Sequence, residues 1–272
     1  MANITNSLVK NNSKPKFSVA IQSDGYKQLI NNTLGDPVVA RKFVADITSV
    51  VSNNTNLSKC DAGSILASGL MAQSLNLPLH QGLGFAYLVP YGEKAQFILG
   101  YKGYIQLAFR SGVYTDFGAE PVYEGEFLGY DENTRKPLFK FSKEGHKEDE
   151  KPIGFMAYLE YKSGIKKALY MTREECEAHG RKYSKAYNSF WGKDEATFQN
   201  QAIKTVIRRL ISKYGMMSTE MMDAYRSDMG VLDTNGNVDY VDNKEDTLVF
   251  ETPNGEIVEE KEELTRQQSL IL

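Results

Sequence analysis

Lys204 and Arg208 stand four residues apart, and Arg209 and Lys213 repeat that interval one position on. On a helix each pair projects from one side. Such rows of fixed cations neutralise a polyanion whose charges recur at short intervals, as the phosphates of a nucleic acid do. A solubilising helix face carries the same pattern. A second set lies in 100–112, where Tyr101, Lys102, Tyr104, Phe109 and Arg110 surround a glycine-rich junction. Missing side chains let the backbone come close to a partner there, with Lys102 and Arg110 set to meet phosphates. The plainer reading is a packing junction with snorkelling cations. Lys162, Lys166 and Lys167 form a third patch. Neighbours on a strand point to opposite faces, so only one of Lys166 and Lys167 shares a site, and Lys166 is assigned to it. Trp191 follows Tyr183, Tyr187 and Phe190 and is interleaved with Arg181, Lys182 and Lys185. That arrangement suits base stacking or a subunit contact, with core filling as the alternative.

Covalent chemistry finds less support. The chain has no Walker-type glycine loop followed by Lys-Ser/Thr and no dinucleotide fingerprint. With two cysteines and three histidines, no metal-ligand spacing is recognisable. His80 and His146 read as surface or turn residues. Glu120, Glu124 and Glu126 are the best carboxylate set for a metal-dependent nuclease, since their even spacing puts them on one side of a strand. The wet face of an antiparallel sheet has the same spacing. Three basic patches without an enzyme motif favour a binding protein that holds a nucleic-acid backbone without reading base sequence.

The charge is divided along the chain. Residues 228–272 carry twelve acidic and three basic side chains, so of the whole-chain −3 the preceding 227 residues hold +6. A basic body with an acidic tail fits a polyanionic partner better than the near-neutral total suggests. The two cysteines, Cys60 and Cys176, sit far apart, which argues against a disulfide framework and for a cytoplasmic protein. No stretch approaches 18 apolar residues, so no membrane partner is expected.

The elements that position these residues are predicted from periodicity and capping. Residues 1–22 read as a flexible arm, 23–227 as one folded domain, and 228–272 as a disordered acidic tail. Helices are expected over 24–34, over 37–51 behind the Asp36-Pro37 start, and after Asp61. A β-hairpin is expected over 85–99, and Gly100–Gly103 is expected to break it before a short helix at 104–109. Strand-like runs follow at 119–127, 137–141, 153–161 and 165–170, with hairpin tip Lys162-Ser163-Gly164 and a charged loop over 143–151. Thr172 and Glu175 have capping-box spacing. A long helix over 195–214 carries the stripe Phe198, Ile203, Val206, Ile207, Leu210 and Tyr214. The fold class is α+β: an antiparallel hairpin-rich β-sheet crossed by a helix, with flanking helices.

Several uncommon strings occur in an order that resembles the RecT family of phage and prophage recombinases. They are Ser58-Lys59-Cys60-Asp61, Leu75-Asn76-Leu77, Ala86-Tyr87-Leu88-Val89-Pro90-Tyr91-Gly92, and the run from Gln96 through Gly103 to Gly112. Trp191 to Asp194 and Lys204-Thr205-Val206-Ile207-Arg208-Arg209-Leu210 extend the resemblance, which covers roughly 23–214. The resemblance implies a RecT/Redbeta-type annealing fold. It implies ATP-independent binding of single-stranded DNA and its annealing to a complementary strand in homologous recombination, in a basic groove shared along an oligomeric ring or filament. It also implies a phage exonuclease and host single-strand-binding protein as partners, the bacterial host cytoplasm as the location, and no catalytic centre. No cofactor is expected; magnesium modulates annealing by screening phosphates, without a dedicated site. The residues that carry over to DNA binding are Lys102, Arg110, Lys166, Lys204, Arg208 and Arg209, with Tyr101, Tyr104 and Trp191 as stacking or shape-holding groups. A metal-dependent nuclease and a structural oligomer-forming protein with incidental basicity are the competing classes.

Overall fold

The computed structural model describes residues 15–80, 82–147 and 149–240, with the backbone of 250–251 and 257–258. It is α+β, and its strands pair antiparallel. The chain divides into two compact units. One ends at Phe97 and takes in Leu232–Asn237; the other runs from Ile98 to Val231 and resumes at Val238. No helix among the described residues is long and apolar enough to cross a membrane.

The first unit is built from α1 (Phe17–Ala20), α2 (Asp24–Leu34), α3 (Pro37–Ser52) and α4 (Ala62–Ser74), followed by β1 (Ala86–Tyr91) and β2 (Lys94–Leu99), the strand in which the division falls. Asp36 caps α3 by accepting from Val38 N–H at 2.7 Å, ahead of Pro37. Asp61 caps α4 through Ser64 N–H at 2.9 Å. The Ser64 hydroxyl in turn accepts from Ala95 N–H, fastening α4 to β2. Phe43, Ile47, Ile65, Leu66 and Leu57 fill the core. The arm expected over 1–22 falls partly on described residues. Residues 1–14 lie outside the described ones, and Phe17 and Ile21 are buried in this core, because the turn at Phe17–Ala20 packs on α3.

The second unit holds α5 (Tyr101–Arg110), β3 (Tyr114–Val122), β4 (Phe127–Tyr130), β5 (Pro137–Phe139), β6 (Gly154–Tyr161), β7 (Lys166–Thr172), α6 (Arg173–Tyr183), α7 (Glu195–Tyr214) and α8 (Thr219–Ser227). Its sheet has the order β3-β6-β7. Two boundaries differ from expectation. The hairpin ends at Leu99 as expected, but helix α5 begins at Tyr101, three residues before the expected 104, with Gly100 as its cap and Gly103 buried inside it; the stripe Tyr104, Leu107 and Ala108 outweighs one glycine, which costs about 1 kcal/mol. Strand β3 starts five residues before the expected 119, and the chain turns at 123–126 where the strand was expected to continue. Gly118 obscures that start, yet it is required: a side chain there would come within 2.7 Å of the Tyr158 hydroxyl, whose ring lies across from it on β6. Gly154 is bare for the same reason, under Tyr170 of β7. Tyr170 also stacks on Phe127 at 4.3 Å, which seats the β4–β5 hairpin on this face.

Helix α7 covers the other face and packs on all three strands, α5 and α6. Phe198 meets Phe155 edge to face, with ring centroids 6.0 Å apart. Phe198, Val206, Ile207, Leu210 and Ile211 are buried, each contributing about 1.5–3 kcal/mol relative to exposure. The Asp194 cap on Thr197 N–H adds about 1 kcal/mol, so packing holds this helix in place. The capping box expected at Thr172 and Glu175 is present on α6.

Trp191 is buried against α6, where a side chain on Gly180 would lie 2.7 Å from its ring. In an exposed helix, glycine to alanine stabilises by about 1 kcal/mol. Here Gly180→Ala is expected to destabilise by about 1–3 kcal/mol, because the indole must move. Urea unfolding followed by the emission of this single tryptophan checks it; a gain in stability would contradict the packing.

Candidate functional site

One turn apart on α7, Lys204 and Arg208 both point at a residue that the sequence reading puts in the acidic tail. Asp228 is 1% exposed. Lys204 Nζ donates to its Oδ1 at 2.8 Å and Arg208 NH1 to its Oδ2 at 2.7 Å. Leu99 N–H donates to Oδ1 at 2.8 Å, and the Tyr104 hydroxyl donates to Oδ2 at 2.8 Å while accepting from Arg208 at 2.7 Å. Four donors from the end of β2, from α5 and from α7 therefore close on a carboxylate supplied by the end of α8. The arrangement follows from local sequence. Met221, Ala224 and Asp228 recur at intervals of three and four, so the aspartate falls on the buried side of α8. The Arg208 guanidinium lies over the Tyr225 ring at 4.2 Å, a second tie to the same helix.

The charges respond to these surroundings. Burial pushes the Asp228 carboxyl up, but Lys204, Arg208 and the hydrogen bonds from Lys204 and Leu99 outweigh it and hold it below its ordinary 3.8. Burial, followed by the repulsion of Arg208, holds Lys204 below 10.5 in spite of Asp228. The charged form is thus favoured at Asp228 and disfavoured at Lys204: burial opposes both charges, and one carboxylate serves two cations while each cation has only the one carboxylate. Burial also raises the Tyr104 phenol well above 10.0, keeping it a donor.

Beside the cluster, a cavity of about 210 Å³ is lined by Trp191, Lys204, Arg208, Arg209, Tyr225 and Met229, with His179, Tyr183 and Gln201 nearby. Arg209 is exposed, as is Lys213 one turn on. Lys213 and Lys167 each reach the Tyr214 ring, at 5.3 Å and 5.2 Å, so α7 and β7 contribute to one cationic edge.

The structure distributes the expected residues unevenly. Lys204, Arg208 and Tyr104 come together, but Lys204 and Tyr104 are buried and committed to Asp228, where an open basic row was anticipated. Trp191 lines the cavity wall with its ring in the core. Arg209 stays on the surface. Lys166 does not join this face: it pairs across the sheet with Glu160 at 2.9 Å, while Lys167, opposite Leu159, shares the pleat that α7 covers. Arg110 pairs with Glu220 of α8 at 3.1 Å. Lys102 is exposed and Tyr101 half-buried in the first turn of α5. The carboxylates do not converge either. Glu126 is buried, accepting from Tyr123 and Ser142 N–H and facing His146 at 3.2 Å, whereas Glu120 and Glu124 are exposed. No group of three or more His, Cys, Asp or Glu among the described residues could hold a metal ion. Asp228, Tyr225 and Glu220 went unassigned in the sequence reading, although the spacing of Met221, Ala224 and Asp228 carries the signal. The remainder of the tail lies mostly outside the described residues.

Comparison with known proteins agrees with the motif order. The RecT family profile matches residues 41–245. The chain is 37% identical over 232 residues to the Bacillus subtilis (strain 168) protein YqaK, covering 81% of this chain and 78% of that protein. It is 30% identical over 228 residues to Protein RecT of Escherichia coli (strain K12), covering 81% of each.

A carboxyl held below its ordinary value stabilises the fold above pH 3.8, and that stability is lost as pH falls through the lower folded-state value. Asp228→Asn leaves buried Lys204 and partly buried Arg208 without their anion and is expected to cost about 3–5 kcal/mol at neutral pH. Thermal unfolding of both proteins from about pH 7 to about pH 2 checks this: the gap should shrink on the acid side, and a constant gap would remove Asp228 from the linkage.

Proposed function

The chain belongs to the RecT family, and from that premise we propose that it anneals complementary single strands of DNA without ATP, as a homo-oligomer, by holding phosphates along α7. Family membership implies single-strand annealing in recombination, with single-stranded DNA as the partner. The observation that carries the finer reading is the pair Lys213 and Lys167 around Tyr214, with exposed Arg209 one turn before Lys213 on α7 at a cavity lined by further cations and aromatic rings. Arg209 and Lys213 lie on a helix held by buried packing, so these charges keep their spacing when a flexible strand binds.

The mechanism is templated pairing. Exposed arginine and lysine side chains take the phosphates of the first strand and release its condensed counterions. Its bases remain open to a second strand, and pairing is selected by complementarity, since backbone contacts carry no sequence information. Once the first strand is held, each correct pair adds to an assembly whose ordering cost has already been met. No covalent bond changes. Arg209, Lys213 and Lys167 are the first contacts; Lys102 and Arg110 extend the basic surface, whereas Lys166, on the opposite face of the sheet, stands apart from it. In the free protein Lys204, Arg208, Tyr104 and Trp191 hold its shape, with Tyr101 beside them on α5. Magnesium acts by screening the two backbones. The reading places the protein in a host cytoplasm beside an exonuclease that supplies single strands and a host single-strand-binding protein. It treats 23–227, together with the buried Asp228, as the annealing domain and the acidic residues that follow as lying outside the DNA path.

Two complementary oligonucleotides mixed with the protein, without ATP, should form duplex faster than a non-complementary pair and without cleavage. Replacing both Arg209 and Lys213 by glutamine should slow annealing and weaken binding. It should also flatten the dependence of log affinity on log salt by about 1.4, at about 0.7 for each single-strand phosphate that is no longer neutralised. Equal binding across the salt series by the folded double variant would place the DNA elsewhere. Cleavage in magnesium would favour the nuclease class.

A further inference from the structure

Asp228 occupies what is chemically an anion site. Its carboxylate receives two charged donors, Lys204 and Arg208, and two neutral ones, the Tyr104 hydroxyl and Leu99 N–H, all at 2.7–2.8 Å. Charge-assisted donors at this range suit a phosphate oxygen as well as a carboxylate. The donors belong to β2, α5 and α7, whereas the acceptor belongs to none of these. It sits immediately beyond the nine-residue α8.

We propose that Asp228 is an internal stand-in for a DNA phosphate: a phosphodiester of the bound strand displaces it from Lys204 and Arg208, and α8 moves with it. The proposal rests on the annealing reading and names how that site is regulated.

Three features support displacement over a fixed structural pair. The residue after Asp228, Met229, has φ +66, a left-handed conformation that a side chain disfavours. Strain of this kind persists only where surrounding contacts enforce it, and it gathers at segments that switch. Next, α8 and its end supply Tyr225 and Met229 to the wall of the cavity that Lys204, Arg208 and Arg209 also line. Withdrawing that wall opens the cavity toward the two cations, with Arg209 already at the surface. Finally, removing Asp228 without a replacement would strand buried Lys204 and partly buried Arg208, which is strongly unfavourable. The latch therefore stays shut in the free protein and opens only when another anion arrives. DNA then binds with an apparent affinity reduced by the small open fraction, and a change that removes the competing carboxylate restores it.

The test uses the full chain and an oligothymidylate as the single strand. Amide hydrogen exchange over 219–230 should quicken by about tenfold or more in the DNA-bound protein, because the α8 hydrogen bonds, including Asp228 N–H to Ala224 C=O, loosen. A folded Asp228→Asn protein should bind the same oligonucleotide about tenfold or more tightly at fixed salt, since it lacks the competitor. Unchanged or slower exchange over 219–230 on binding overturns the latch, and so does equal or weaker affinity of the folded variant. If Asp228→Asn does not fold, the exchange measurement on the unaltered protein decides. Failure of the unaltered protein to bind the oligonucleotide in a salt-dependent manner would instead overturn the annealing reading, and the latch with it.

Discussion

A single carboxylate shared between two cations governs the second unit of this protein. Asp228 joins the end of β2, the first turn of α5, the middle of α7 and the end of α8 through one pair of oxygens. Helices α5 and α7 carry exposed cations, so their relative placement determines the shape of the basic surface. One buried and one partly buried positive charge are tolerated there only because the aspartate accompanies them. The same arrangement makes the site electrically responsive, since any other anion that reaches Lys204 and Arg208 competes for the same donors.

Helix α7 turns this constraint into a usable surface. Its buried side locks onto β3, β6 and β7, and its outer side holds Arg209 and Lys213 one turn apart. The sheet contributes Lys167 through pleat alternation alone. Position 167 shares a face with the residues under α7, and position 166 turns away to Glu160. Cationic character at this edge is therefore a by-product of hydrophobic packing: burying Phe198, Val206 and Leu210 dictates where Arg209 must stand.

Much of this was legible in the sequence where local rules operate. The caps at Asp36, Asp61 and Thr172 and the whole of α7 follow from side-chain chemistry and periodicity. The motif order indicated the family from strings spread across both units. Long-range partnership was less visible. The start of β3 before Gly118 is legible only once Tyr158 is known to lie across that glycine. The start of α5 at Tyr101, where 104 was expected, is legible only once Gly103 is seen buried inside the helix. Lys204 reads as a surface cation because nothing near it in the chain is acidic, and its partner lies 24 residues away. Asp228 was concealed by composition: it is the first of twelve acids in a stretch whose aggregate charge points to solvent, although its own helical phase points inward.

The paired glycines of the sheet carry a further meaning for how such a protein changes over evolutionary time. Gly118 with Tyr158 is one volume divided between two strands, all of it allotted to the ring, whereas Gly154 is closed off both by the Tyr170 ring and by the Met171 carbonyl. A side chain at 118 needs the Tyr158 ring to shrink or swing aside, so those two positions are coupled in any viable change. No change at 170 alone makes room at 154, where the backbone itself is in the way. Substitution on the sheet surface under β4–β5 therefore meets a packing constraint that exposed cations such as Arg209 and Lys213 do not.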